Sequence, residues 1–402
     1  MKIRSITVFC EPGFPVNRLL LQQVGIFAGH ARKLFGEAGF EVQSLRLATP
    51  PFGQYVAPID LAEAAQSYAI EAHADGFEYI SLGPAGADPK EWAAIPGALS
   101  RSDRVFFSGL LTTPQGELDL ANAARCAETI AALSTLEADG FANLRFCALA
   151  NVPACTPFFP AAYAQRERPA FALALQSADL ALGCFGRANS LQAARENLVE
   201  EINTHASRLE AVAEKLEKMY GYSFKGLDFT LAPHPDQAAS IGSALEALGL
   251  TAFGLHGSLF ACTFLTTTLQ QAQYRKVGFN GLMLPVMEDS TLALRAAEGS
   301  LSVSELLMFS AVCGAGLDVI PLPGDTTPEE LYPILLDLGG LALRLNKPLT
   351  ARLMPIPGKQ AGELTCFDFG YFANSRVLPL RTQQVSGLMR GNERVWLPQR
   401  DA

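Results

Sequence analysis

A chain of 402 residues, 49% hydrophobic and 18% charged, is long enough to bury a sizeable core. Its charge share lies below the ~25% usual for soluble domains, which predicts a large interior, a buried subunit interface, or both. The formal net charge of −9 and the lack of any basic run argue against nucleic acid and anionic membranes as partners.

The opening MKIRSITVFC makes a poor signal peptide, because Arg4 and Ser5 interrupt a short apolar stretch; it reads as a strand over 3–10. A helix follows over 17–38, with Leu20, Val24, Phe27 and Ala31 on one stripe. Next come a strand over 41–47, an alanine-rich helix over 59–74 and a strand over 79–82. A strand over 104–111 opens into a Thr-Thr-Pro turn, followed by a helix over 118–133 and a strand over 144–152. Strands separated by helices of this length favour parallel pairing, since a parallel crossover needs a long connection.

The clearest helix spans 197–220. Leu198, Ile202, His205, Leu209, Val212, Leu216 and Met219 make a heptad-like seam, and Glu200, Glu201, Glu214, Lys215 and Lys218 make a wet face. Such a helix packs on a long partner, in the same chain or in another subunit. Together with the hydrophobic content it predicts a homodimer.

The second half repeats the alternation: strands over 227–232, 276–287, 318–322 and 350–355, and helices over 238–248, 258–271, 302–312 and 328–345. The apolar stretch 247–274 resembles a membrane span, but Ser258, five threonines and three glutamines dilute it, so it reads as a buried helix. About ten strands and no Ser/Gly-rich linker predict one α/β domain over 1–370. The extension 371–402 follows, its end over 386–402 reading as an arm or mobile tail. The eight cysteines are scattered without a CxxC pair. That pattern fits free thiols in the reducing cytoplasm and not a structural zinc site.

Several ordered motifs resemble one family. They are Asn151-Val-Pro-Ala-Cys-Thr-Pro-Phe-Phe-Pro160, Gly226-Leu-Asp-Phe-Thr-Leu-Ala-Pro233, Glu288-Asp289 after Met-Leu-Pro-Val-Met, Ala311-Val-Cys-Gly-Ala-Gly-Leu-Asp318, Pro323-Gly-Asp-Thr326 and Arg352-Leu-Met-Pro-Ile-Pro-Gly-Lys359. Over roughly 1–370 the chain resembles the domain of unknown function 711 family, which has no settled activity. The resemblance implies a ten-stranded α/β barrel with surrounding helices, like that of pyruvate formate-lyase-like enzymes. The end of the chain departs from the family, whose members commonly finish in a glycine-rich segment.

Strand carboxyl ends in barrels and doubly wound sheets collect sites. The candidate catalytic residues are therefore Asp228 in an apolar strand, Glu288 and Asp289 at a strand end, Asp318 after a glycine turn, and His256 in Gly-Leu-His-Gly-Ser. Such carboxylates suit acid–base chemistry or a divalent cation. Asp289 before Ser-Thr and Asp325 before Thr-Thr-Pro-Glu-Glu also read as helix N-caps, and Asp228 as a satisfied buried acid. His234, in a rigid Ala-Pro-His-Pro turn, and Asp325, Arg352 and Lys359 are the candidate substrate-binding residues; the two cations equally suit pairing with the excess acids. Cys313, before Gly-Ala-Gly, reads as a nucleophile or as a small buried hydrophobe. The fold analogy adds a radical reading, because Gln384-Val-Ser-Gly-Leu388 resembles a radical-bearing glycine segment and would place the radical at Gly387. Three functions stay open: an enzyme acting on a small polar metabolite in the barrel mouth, a non-catalytic binding or regulatory protein, and a glycyl-radical lyase.

Overall fold

The computed structural model describes residues 1–399; the last residues of the expected tail, 400–402, lie outside the described residues. The described residues form eleven strands and eleven α-helices. The strands are β1 (Lys2–Phe9), β2 (Leu45–Ala48), β3 (Tyr79–Ala85), β4 (Val105–Leu110), β5 (Glu117–Asp119), β6 (Phe146–Ala150), β7 (Ala170–Gln176), β8 (Ser223–Ala232), β9 (Gly316–Pro323), β10 (Leu349–Ile356) and β11 (Arg394–Trp396). The helices are α1 (Arg18–Glu37), α2 (Leu61–Ala74), α3 (Pro89–Leu99), α4 (Leu120–Ser134), α5 (Ala178–Arg187), α6 (Leu191–Tyr220), α7 (Ile241–Glu246), α8 (Ser258–Gln271), α9 (Ser290–Glu298), α10 (Val303–Ser310) and α11 (Pro328–Arg344).

Nine strands form one sheet in the order β8-β7-β1-β2-β3-β4-β6-β10-β9. Pairing is parallel within β1–β2–β3–β4–β6, within β7–β8 and within β9–β10. It is antiparallel at β1–β7 and β6–β10. The strands therefore run in two opposed sets, which corrects the expectation of uniformly parallel strands. One rim of the sheet collects the amino ends of β1–β4 and β6 together with the carboxyl ends of β7–β10.

The expected strand over 276–287 is a largely irregular segment tied to both sheet edges. Isolated parallel bridges join Lys276 to Leu227 of β8 and Pro285 to Asp318 of β9. Chain alternation alone did not reveal β7, which is buried along its whole length.

Helices cover the outer face, where Ile6, Val8, Leu47, Ile80 and Phe107 join their apolar stripes in the main core. The inner face differs. Segment 151–164 lies against it, with Cys155, Phe158, Phe159, Ala161 and Ala162 buried. It is held by Thr7 Oγ1 donating to Pro157 O (2.8 Å) and Ser81 Oγ donating to Ala162 O (2.7 Å).

The α6 seam is buried within this chain: Leu198, Ile202, Leu209 and Leu216 are fully enclosed, so the seam itself gives no support for a dimer. α8 is 14 residues long, and among the described residues no helix is long and apolar enough to cross a membrane. All eight cysteines are free, and Cys366 alone of them is exposed.

The C-terminal extension is not a loose arm over its described length. β11 pairs with β5, Leu120 N donates to Glu393 O (3.1 Å), and Tyr332 Oη donates to Met389 O (2.7 Å). Upstream of it, Phe367 and Phe372 pack with Met287, Val319 and Met354, and Ala373 N donates to Met287 O (2.7 Å). This segment caps the rim formed by the carboxyl ends of β8, β9 and β10.

Candidate functional site

Below that cap, charged side chains from distant strands meet. Glu288 is 4% exposed and lies between two guanidiniums. Arg4 Nη2 of β1 donates to its Oε2 (2.6 Å), and Arg352 Nη2 of β10 donates to its Oε1 (2.9 Å). Arg352 Nε donates in turn to Asp318 Oδ1 of β9 (2.6 Å). β1 and β9 are far apart in strand order, so this chain of ion pairs crosses the inner side of a strongly curved sheet.

The backbone is irregular at both ends of the network. In β9, Ala351 pairs Leu317 and Leu353 pairs Ile320, which leaves Asp318 and Val319 together opposite Arg352. Val319 has φ of 43°, in the left-handed region that a β-branched residue rarely occupies. In β1, Ile3 pairs Leu175 and Ser5 pairs Ala174, so Arg4 is the extra residue of a second bulge. Bulges re-aim side chains and are common beside sites, and strain of the Val319 kind persists only where its surroundings enforce it.

Electrostatics separates the two acids. Burial acts to raise Glu288, but Arg4 and Arg352 outweigh it and hold the carboxyl below its ordinary value. Burial raises Asp318 above its ordinary value against the pull of Arg352, and the neighbouring Glu288 adds to the rise. Asp318 Oδ1 is taken by Arg352, while Oδ2 accepts no hydrogen bond among the described residues. Burial works against the Arg352 charge, yet Asp318 and Glu288 outweigh it and raise its pKa.

A third guanidinium stands beside this network. Arg46 of β2 is partly exposed. Its Nε donates to Ser44 Oγ (3.0 Å), and its guanidinium lies 5.1 Å from the Phe159 ring centre and 5.8 Å from that of Tyr79. Its pKa is lowered to about 10, first by burial and then by Arg4, so it stays charged at neutral pH. It makes no carboxylate pair among the described residues.

The other expected site residues lie elsewhere or serve the scaffold. Asp289 is fully buried and makes no contact with the ion network. Its Oδ1 accepts from Thr291 N, Leu292 N (both 2.9 Å) and Ser240 Oγ (2.8 Å), and its Oδ2 from Ile241 N (2.6 Å) and Gly242 N (3.3 Å). It thereby caps α9 and pins the start of α7, and nothing remains free for a ligand.

Asp228 is equally buried and equally occupied. It accepts from Phe279 N (2.8 Å), Asn280 N (2.9 Å) and Thr230 N (3.1 Å), and from Thr230 Oγ1. Burial raises it to about 6 against these hydrogen bonds. A Cβ at Gly278, where φ is +79°, would stand 2.3 Å from Asp228 Oδ2, so that glycine lets the loop close over the carboxylate.

His256 is exposed on the turn before α8 and stays outside the rim. His234 is on the rim: the preceding carbonyl of Pro233 accepts from Arg4 Nη1 (3.4 Å), and the ring sits 3.1 Å from Asp236 Oδ2 and against Tyr371. Asp325 is exposed and does not cap α11; Thr327 is the N-cap residue, and its amide donates to Glu330 Oε2 (2.9 Å). Lys359 lies on the turn after β10, without an ion pair among the described residues.

Cys313 is fully buried at the start of β9, near the opposite rim. Gly387 is exposed on a turn docked on α11 by Tyr332, so the radical reading finds no glycine facing a thiol. The expected divalent cation has no cage: no group of three or more His, Cys, Asp or Glu among the described residues is arranged to hold one.

Arg4 and Arg46 were missed from the sequence. Both are lone charges inside apolar strands, the same signal that singled out Asp228.

A family model described as "Uncharacterised ACR (DUF711)" matches residues 1–372. Relatives include a UPF0210 protein of Pyrobaculum aerophilum, 29% identical over 84% of this chain and 78% of that protein. A UPF0210 protein of Syntrophobacter fumaroxidans is 30% identical over 68% and 63%, and one of Methanopyrus kandleri is 27% identical over 87% and 82%.

Proposed function

The chain belongs to the DUF711 (UPF0210) family, and since that membership carries no activity, we propose from the site itself that the protein is an enzyme acting on a small polyanionic metabolite held at the Arg4–Arg46–Arg352 cluster. The observation that carries this reading is the charge count: three inward guanidiniums face two carboxylates, and Arg46 lacks an acid partner. A carboxylate or phosphate supplies the missing charge, and guanidinium forks suit both. Phe159 and Tyr79 hold the Arg46 guanidinium in place.

Asp318 is the proton-transfer group in this reading. It has one unengaged oxygen, a raised pKa and a strained neighbour, a combination that marks functional carboxylates. Glu288, clamped by two arginines, positions them. This replaces the earlier weight on Asp228, Asp289 and His256. The test is incubation with a small-metabolite extract followed by mass spectrometry. Wild-type protein consumes an anionic metabolite that Asp318→Asn binds but leaves intact. Identical profiles for the two proteins overturn the catalytic assignment and leave a binding protein, a reading that the arginine pairing of both acids also supports.

We propose further that segment 276–286 serves as a tenth strand and closes the sheet into a barrel similar to that of pyruvate formate-lyase-like enzymes. The parallel bridges at its two ends support this, as do Val277 N donating to Leu227 O (3.2 Å) and Val286 N donating to Asp318 O (3.1 Å). Amides of Val277 and Val286 that exchange as slowly as those of β8 and β9 support closure; exchange at loop rates counts against it.

A further inference from the structure

At the opposite rim, where β9 and β10 begin, lies a cavity of about 460 Å³ that the ion network does not reach. Its walls come from α8, from 279–281, from 311–314 and from 345–348. The size falls within the range of small-molecule sites. Its floor is built by a backbone contact between Gly281 and Gly314: a Cβ on Gly281 would stand 2.3 Å from the Gly314 Cα. Only glycines permit that approach.

One wall carries a charge without a counter-ion among the described residues. Lys347 donates from Nζ to Ser310 O (3.0 Å) and to Cys313 O, which points its charge into the cleft beside the carboxyl end of α10. It makes no ion pair among the described residues. Burial lowers its pKa. Across the cleft, Thr266 is 8% exposed, and its Oγ1 is sealed from the cavity. A half-buried ammonium without a counter-ion is costly. Gln270 and Asn280 supply the polar lining, and Cys313 an apolar wall.

We infer that this cavity is a second ligand site, taking a small molecule whose anionic group, carboxylate or phosphate monoester, docks against Lys347. It is separate from the arginine cluster and does not depend on that reading. The cavity is wired to the scaffold: Asn280 N binds Asp228 (2.9 Å), while Asn280 Oδ1 accepts from Tyr274 Oη (2.8 Å) and Phe229 N (3.1 Å). From Gly281 the same segment runs on to Glu288, so occupancy at one rim has a direct chain path to the other.

The test uses the full chain carrying Arg46→Met, which removes the proposed first site, with succinate and glycerol phosphate as probes in isothermal titration. One saturable site for at least one probe is expected, weakened at least tenfold by adding Lys347→Met. Saturating probe should also slow reductive methylation of Lys347 severalfold. Absence of heat with both probes in folded Arg46→Met protein overturns the inference. So does wild-type-like affinity in the Lys347→Met variant, or Lys347 methylation at the same rate with and without probe.

Discussion

Glu288 and Asp289 are neighbours in the chain, both acidic and both buried, yet they belong to different regions with different physics. Asp289 faces the α7–α9 corner and is saturated by four backbone amides and a serine hydroxyl. Glu288 faces the inner side of the sheet and is saturated by two arginines from β1 and β10. An amide-bound carboxylate ends two helices and is finished. A guanidinium-bound carboxylate sits among ligand-competent cations, one of which, Arg46, has no acid to balance it among the described residues. Asp228 falls on the first side of this divide and Asp318 on the second. The partner, not burial, tells a scaffold acid from a site acid.

The sharpest strain on that comparison is Arg352→Met, which leaves Glu288 with half its partners and Asp318 with none. Uncompensated buried charge of this kind costs ~3–5 kcal/mol, to be read from denaturant midpoints. Adding Glu288→Gln and Asp318→Asn should recover much of it. No recovery means that packing, not charge, holds the network.

Asp289→Ala should come next, at ~3 kcal/mol, combining two lost caps with buried amides left unpaired. It should leave anion affinity unchanged in the protein that remains folded. A loss of binding with intact stability would move Asp289 to the site side of the divide.

For Asp228 the sign is set by a folded pKa raised to about 6 over an unfolded value of ~3.9. Between these the folded state binds more protons. The stability that Asp228 contributes is therefore fully present below pH ~4 and is lost, by about 3 kcal/mol, as pH rises through about 6. Asp228→Asn should flatten that slope, whatever its own cost. An unchanged slope would locate the titration elsewhere.

Arg46→Met should move stability least, by under ~1 kcal/mol, since no ion pair is broken, while it strips the cluster of its unbalanced charge. A large destabilisation would make Arg46 scaffold as well.

The sequence carried much of the architecture, because periodicity reports burial. α1, α2 and α11 begin and end within two residues of their expected bounds, and α6 starts six residues earlier than expected. The sequence reading missed β7, which is buried along its whole length over 170–176, and it expected parallel pairing where β7 and β10 run against β1 and β6. At the site, Glu288, Asp318 and Arg352 were legible as polar residues in apolar settings, but nothing linear joins Arg4 to Glu288 across 284 positions. Asp325 illustrates the opposite failure: its motif promised a cap, but the helix starts after Thr327, whose amide is held by the Glu330 carboxylate instead. The Lys347 cavity was invisible because its walls are supplied by backbone approach at two glycines and by a lysine in an ordinary-looking turn.

The central claim is that Arg46 carries the unbalanced charge that recruits an anionic ligand. Isothermal titration of citrate and of inorganic phosphate into wild-type and Arg46→Met protein, with Lys347→Met in both to silence the second cavity, tests it directly. Saturable binding that falls at least tenfold in the Arg46→Met protein is the predicted result. Equal affinity in the two proteins, or no binding in the protein that keeps Arg46, contradicts it.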